Sequence, residues 1–353
     1  MYDMTDEKVF NVGIVGCGQG GGRICEAFYS LGYENALAIN TAPQDLKHLS
    51  LSDDQKLLLE SDRQGAGKDP SVSKKLATQS HSEIISKMAH NFGEVDRIFV
   101  CVSAGGGTGT GSCIPVVQTA KDYLESIGLT DSERRVGIIV STPTDGEGRS
   151  RAVSRNAFVL LNEISKLAKD KQISPAILIE NEKIKTVFPG LKMREFWPVS
   201  NSSVAKMFDI FNSLPCQDSM FSSFDPADFE NVMSAHGFMT IGGTRIVDDY
   251  TAESMVKAFE KNLEHTIISS GYRLGDSKSG ACVICISEDV VDEEPGLMDE
   301  IDKAMDEVSV KMGSDYIHRG IYISDDEGIT VYSIIGGLPQ PTSQLTRLKN
   351  MTR

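Results

Sequence analysis

Two glycine-rich runs carry most of what this sequence could do chemically. Gly16-Cys-Gly-Gln-Gly-Gly-Gly22 follows a β-branched run and opens a helical pattern. Ser103-Ala-Gly-Gly-Gly-Thr-Gly-Thr-Gly-Ser112 stands in the same strand-to-helix position later in the chain. Amides of such loops, free of side chains, can face an anion, and a helix N-terminus favours negative charge. Gly16, Gly18 and Gly21 satisfy GxGxxG, which by itself suggests a dinucleotide oxidoreductase. An NAD site would want an acid at the end of the second strand, where this chain reads Ala38-Ile39-Asn40-Thr41. A single glycine cluster is often only a tight turn. Two clusters, with Gly65-Ala-Gly67 between them, point to helix N-termini converging on one phosphate-bearing ligand at the C-terminal edge of a sheet. There is no GxxxxGK[ST], so no P-loop lysine serves that ligand.

Two acids stand three apart in Ser223-Phe-Asp-Pro-Ala-Asp-Phe-Glu-Asn-Val-Met233. Read locally, Asp225 is an N-cap, Pro226 the first helical residue and Asp228 a first-turn acid. Cys282 and Cys285 form a CxxC within a strand-like run, where residues three apart point to opposite faces, so a metal or redox role is not expected.

The elements that must position these groups alternate. Strands are expected at Val9–Val15, Ala36–Ile39, Arg97–Val102, Val136–Ser141 and Ala176–Ile179, with amphipathic helices between them, the pattern of a parallel sheet covered by helices. The clearest helix spans Glu147–Ala168, with Ala157, Leu160, Leu161, Ile164 and Leu167 on one stripe. A helical stretch at Asn201–Asn212 leads to a second block. There a helix at Glu253–Ile267, a strand at Ala281–Ile286, a helix at Leu297–Val310 and a strand pair, Gly320–Ile323 and Gly328–Ile335, are expected. A chain of 353 residues with 40% hydrophobic content suits two α/β domains. The net charge of −15 argues against a broad surface for nucleic acid or membrane. No leader opens the chain and no apolar run reaches the roughly 20 residues of a membrane span. A cytoplasmic protein is expected, and any DNA contact should be indirect.

The run 105–112, GGGTGTGS, resembles the phosphate-binding loop of the tubulin/FtsZ family, and the resemblance extends along nearly the whole chain. It implies a Rossmann-like parallel-sheet GTPase domain (1–198), a central helix (199–222), a smaller second α/β domain (223–339) and a short basic tail (340–353). It also implies a nucleotide site. Gly18, Gln19, Gly20 and Gly21 match the first loop, Arg23 stands at a nucleotide-contacting position directly after it, and Asn40 matches the second. Gly65, Ala66, Gly67 and Lys68 match the loop that senses the γ-phosphate. Ala104, Gly105, Gly106, Gly107, Thr108, Gly109, Thr110 and Gly111 cradle the phosphates. Pro143, Glu147 and Arg151 match the sugar-binding loop, and Asn181, Trp197 and Asn201 the guanine contacts. Each helix N-terminus offers only about half a positive charge, so GTP or GDP here calls for Mg²⁺, with no protein ligand set assigned to the metal.

The resemblance assigns Asp225 and Asp228 to the nucleotide of an adjoining subunit, which makes the chain its own partner in a head-to-tail GTP-hydrolysing polymer. The pattern departs from the family at Ser223, Ala42, Arg23 and Lys68. The absence of a long linker and docking peptide after Pro339 resembles the short-tailed plasmid and phage branch. DNA segregation is the implied role, with Arg347, Lys349 and Arg353 as a disordered tail that contacts an adaptor. The alternatives are a cell-division GTPase of the FtsZ type and a non-hydrolysing scaffold.

Overall fold

The computed structural model describes residues 7–60, 65–264, 266–268, 271–313 and 317–352; Arg353 and the His265 stretch of the helix expected at 253–267 lie outside them. The chain runs β1 (Val12–Cys17), α1 (Gly18–Tyr29), β2 (Ala36–Asn40), α2 (Pro43–Lys47), β3 (Lys56–Leu58), α3 (Pro70–Gln79), α4 (His81–Asn91) and β4 (Arg97–Ser103). It continues through α5 (Thr108–Ser126), α6 (Ser132–Arg135), β5 (Val136–Thr142), α7 (Asp145–Gly148), α8 (Arg151–Lys169), β6 (Ala176–Glu180), α9 (Ile184–Val187) and α10 (Phe196–Ser213). The second block holds α11 (Pro226–Met233), β7 (Phe238–Ile246), α12 (Ala252–Glu264), β8 (Ser279–Ser287), α13 (Glu288–Glu293), α14 (Leu297–Met312), β9 (Ile317–Ser324), β10 (Ile329–Leu338) and α15 (Thr342–Met351).

Among the described residues ten strands join one sheet in the order β3-β2-β1-β4-β5-β6-β7-β10-β8-β9. The six N-terminal strands are parallel, and the blocks meet where Ala176 and Ile177 of β6 pair with Phe238 and Met239 of β7. Strands buried on both faces read as near-continuous apolar runs, and β1, β2 and β5 are buried at every residue. Along β4, Phe99 and Cys101 belong to the core on one face, with α1, α10 and α11, while Val100 and Val102 belong to the core on the other, with α5 and α8. The same alternation separates Cys282 from Cys285 in β8, so the two sulfurs of this CxxC lie on opposite faces of the sheet.

Four expectations need correction. The helix expected at Glu147–Ala168 is two: Thr144 and Glu147 form a reciprocal capping box that starts α7, and Ser150, in an extended conformation, begins α8. The expected pair of strands at 320–323 and 328–335 does not pair, because β8 lies between β9 and β10. Strand β7 was not expected, since Gly242 and Gly243 weaken a strand reading. They are there for close approach: a Cβ on Gly242 would lie 2.7 Å from that of Asn262 in α12, and one on Gly243 2.8 Å from the Tyr332 ring. Finally, the segment expected as a disordered tail is helix α15. Leu345 and Leu348 are buried beside α8, Gln344 donates to Thr142 Oγ1 at 2.7 Å, and the Arg347 guanidinium holds Asp145 and the Pro143 carbonyl.

Candidate functional site: a phosphate cradle and a distant acid pair

The two glycine runs meet above the C-terminal ends of β1 and β4. Their backbones are so close that a Cβ on Gly18, whose φ is +72°, would fall 2.7 Å from the Gly109 amide nitrogen. The loops enclose a cleft of about 400 Å³ lined by Gly18, Gln19 and Gly20 on one side and by Ala104, Gly105, Gly106, Gly107, Thr108 and Gly109 on the other, with Pro143, Glu147 and Lys68 at its rim. The N-termini of α1 and α5 both open into it, so backbone amides and two helix dipoles face the same space.

Several expected residues act one layer back. Gly21 packs against the Cys101 carbonyl, which a Cβ would meet at 2.1 Å, and Gly111 packs in the same way against the Pro70 carbonyl at 2.0 Å. The Thr110 hydroxyl accepts from the Gly105 amide at 3.1 Å and is buried, so it braces the loop instead of lining the cleft. Asn40 Oδ1 accepts from the amides of Thr41 (2.8 Å) and Ala42 (3.1 Å), fixing the turn into α2. The Gly65–Lys68 loop closes on this cradle from the side. A Cβ on Gly107 would lie 2.7 Å from that of Ala66, and Gly67 and Lys68 both take positive φ. Glu147 shares its carboxylate with the Thr144 amide (2.9 Å) and hydroxyl (3.0 Å), so its side chain is held at the rim. Arg151 opens α8, and Asn181 is buried directly after β6.

Arg23, Trp197 and Asn201 line a separate cavity of about 710 Å³ between α1 and α10. Arg23 follows Gly20 by three residues, so this cavity opens about one helical turn along α1 from the phosphate cleft. The two cavities are thus separate, with Trp197 in the wall of the second.

Sequence reasoning missed two groups. Asp45 lines the phosphate cleft, with Oδ1 accepting from Gln19 Nε2 at 2.9 Å and Oδ2 from Asn40 Nδ2 at 3.2 Å. Its signal was weak: the acid stands three residues beyond Ala42, one turn into α2. Asn156 donates to the carbonyls of Lys68 (2.9 Å) and Gly105 (3.2 Å), tying two ligand loops together from inside α8. Among the described residues no three His, Cys, Asp or Glu side chains converge as a metal site. Asp45 is nevertheless one carboxylate beside a phosphate cradle, and Mg²⁺ is commonly held by one or two carboxylates, phosphate oxygens and water.

The acid pair is elsewhere. Asp225 and Asp228 form a reciprocal capping box at the start of α11, Asp228 N–H to Asp225 Oδ1 at 2.9 Å and Asp225 N–H to Asp228 Oδ2 at 3.2 Å. Helix α11 packs on the opposite end of the same strands. Phe229 lies 5.1 Å from Phe10, just before β1, and Glu230 and Ser234 hold the guanidinium of Arg97, the first residue of β4, at 2.5 and 2.8 Å. The phosphate loop leaves the far end of β4, seven residues on. At about 3.3 Å per residue the strand separates the two sites by roughly 20 Å. One molecule cannot bring these acids to its own cleft.

Residues 11–188 match the family model for the GTPase domain of the Tubulin/FtsZ family, and residues 222–342 that for the C-terminal domain of the tubulin-like protein TubZ. Cell division protein FtsZ 1 of Halobacterium salinarum is 30% identical over 277 residues, which cover 76% of this chain and 64% of that protein. The chain thus spans less than two thirds of that relative's length. Tubulin-like protein TubZ of Bacillus cereus is 21% identical over 347 residues, covering 89% of this chain and 75% of its own. Among solved structures, the GTPγS-form protofilament of TubZ from Bacillus thuringiensis serovar israelensis superimposes with a TM-score of 0.81 at 19% identity, over 98% of this chain and 92% of that one. CetZ2 of Haloferax volcanii, a GTPγS-bound protofilament, gives 0.75 at 19% identity over 96% and 98%.

Proposed function

Because the chain belongs to the tubulin/FtsZ family, we propose that it binds GTP in the glycine-lined cleft, polymerises head to tail, and hydrolyses the nucleotide only where two subunits meet. The observation that carries this reading is the separation of the phosphate cradle and the acid pair by the length of the strands that hold them both. A second copy stacked along the strand direction would bring its acids to the first copy's cleft. Such a heterologous contact repeats without closing, which gives a filament.

The residues divide the work. The amides of Gly18–Gly20 and Ala104–Gly109 hold the phosphates. Gly65, Ala66, Gly67 and Lys68 border the γ-phosphate. Pro143, Glu147 and Arg151 border the sugar, and Asn181, Trp197 and Asn201, with Arg23, take guanine. Mg²⁺, when bound, offsets phosphate charge, and Asp45 is the carboxylate placed to hold one of its waters. Asp225 and Asp228 of the neighbouring copy orient the attacking water and take its proton. An interfacial site makes hydrolysis a consequence of assembly.

The TubZ-type C-terminal domain supports a role in DNA segregation or positioning through an adaptor protein, with the exposed Lys349 of α15 as the adaptor contact, since Arg347 is engaged by Asp145 and Pro143. The higher identity to archaeal FtsZ supports the second reading, a cell-division GTPase. The mechanism is tested with an Asp225→Ala, Asp228→Ala variant incubated with GTP and Mg²⁺. Filaments that form without releasing phosphate support it; phosphate release at the wild-type rate removes the acids from the mechanism.

A further inference from the structure

The loop that carries the acids is fastened to the edge strand β9. An isolated antiparallel bridge joins Ser222 to Ile321, whose amide donates to the Ser222 carbonyl at 2.8 Å. Phe224 donates its amide to the Tyr322 hydroxyl at 3.0 Å and receives that hydroxyl's proton on its carbonyl at 3.0 Å. Burial pushes the Tyr322 phenol up to about 12, so it stays protonated and can both accept and donate. Gly320 lets the loop lie flush, since a Cβ there would be 2.9 Å from that of Phe224. One further link reaches an acid itself: His318 Nδ1 lies 2.7 Å from Asp228 Oδ1, with the two side chains only 16% and 24% exposed. The Nε2 of the same ring is buried with no hydrogen-bond partner among the described residues.

The acids are therefore held unequally. Asp228 is contacted at both oxygens, Oδ1 by the His318 ring and Oδ2 by the Asp225 amide, which donates to it. Asp225 is exposed and uses Oδ1 within the capping box. Resting on the interfacial mechanism proposed above, we propose that His318 is the positioning residue of the acid pair: its ring, seated with Nδ1 against Asp228 Oδ1, holds the Asp228 carboxylate, and through the capping box the exposed Asp225, in the orientation that a neighbouring subunit's nucleotide requires. Without it the Asp228 carboxylate is free to rotate about χ2, a broad torsion, and the second bond of the capping box loosens. Misplacing a reacting group by about 1 Å can cost on the order of 100-fold in rate. The surrounding hydrogen bonds hold the loop in place, so assembly is expected to survive.

The experiment compares the wild type, His318→Ala, His318→Asn and Asp225→Ala/Asp228→Ala. It measures phosphate release per polymerised subunit, and critical concentration with a slowly hydrolysed GTP analogue. The Asn amide nitrogen can occupy the place of Nδ1. His318→Ala should lower turnover per polymerised subunit about 10- to 100-fold while the critical concentration stays within about twofold, and His318→Asn should recover most of the loss. Wild-type turnover in His318→Ala while the double-acid variant is inactive would overturn the role of His318 alone. Equal impairment in the Ala and Asn variants, or a matching rise in critical concentration, would reduce it to ring packing and overturn it too. Wild-type turnover in the double-acid variant would instead overturn the interfacial mechanism itself.

Discussion

Two alanine substitutions five residues apart in the phosphate loop should have opposite consequences. Gly111 lies inside α5, where alanine is favoured over glycine by about 1 kcal/mol when nothing obstructs it. Here a Cβ would stand 2.0 Å from the Pro70 carbonyl oxygen and 2.2 Å from Ser73 Oγ, the hydroxyl that donates to the Gly107 carbonyl at 2.8 Å. Relief requires α3 and α5 to part. Overpacking of this kind costs typically about 1–3 kcal/mol or more, and the displaced hydrogen bond adds about 1 kcal/mol. Net of the helix gain, Gly111→Ala should destabilise by about 1–3 kcal/mol. A Cβ on Gly106, by contrast, meets nothing within 4 Å, yet the residue lines the cleft in which the proposed phosphate contacts are backbone amides. Gly106→Ala should therefore unfold like the wild type without nucleotide and bind guanine nucleotide at least about 10-fold more weakly, a loss of about 1.4 kcal/mol. The assay is urea unfolding with and without GTP, beside nucleotide titration. A Gly111→Ala protein as stable as the wild type, or a Gly106→Ala protein with unchanged affinity, would refute the packing argument.

The remaining predictions concern the other supports of the site. Arg97 is 1% exposed and bonded to Glu230, Ser234 and the Arg134 carbonyl. Arg97→Ala should cost about 3 kcal/mol, the low end for a broken buried pair because Glu230 is 38% exposed and rehydrates; an unchanged urea midpoint would contradict this. Arg347→Ala should free α15 from the Pro143 rim and weaken nucleotide binding about fivefold, for a loss near 1 kcal/mol across partly exposed contacts. Increased amide exchange in α15 and around 143–148 is the check. Six of the seven cysteines are buried, and burial lifts the Cys17, Cys25 and Cys282 thiols to about 12. A thiol reagent at neutral pH should thus modify only the half-buried Cys216 in the native protein, and slowly.

How much of this could be read beforehand follows the range of the interactions concerned. The two glycine loops were legible because two glycine-rich runs, each between a strand and a helix, have few other physical uses. Asp225 and Asp228 were legible as a helix start from local capping chemistry, which the structure reproduces. Their distance from the cradle was not, because it depends on which strand ends α11 packs against. Helix α15 was hidden by its polar composition, since its stability comes from contacts with Thr142, Pro143 and α8, some 200 residues earlier. Asp45 and His318 share that difficulty. Each is an ordinary polar residue in sequence and acquires a role only when tertiary packing sets it against Gln19 or Asp228.

The most direct test of the interfacial site is phosphate release from GTP with Mg²⁺ across a range of protein concentrations, with light scattering recorded in parallel. Turnover per subunit should be near zero below a threshold concentration and rise above it together with scattering. Constant turnover per subunit with flat scattering would mean that one chain completes the site alone, contradicting the separation of cradle and acids on which the mechanism rests.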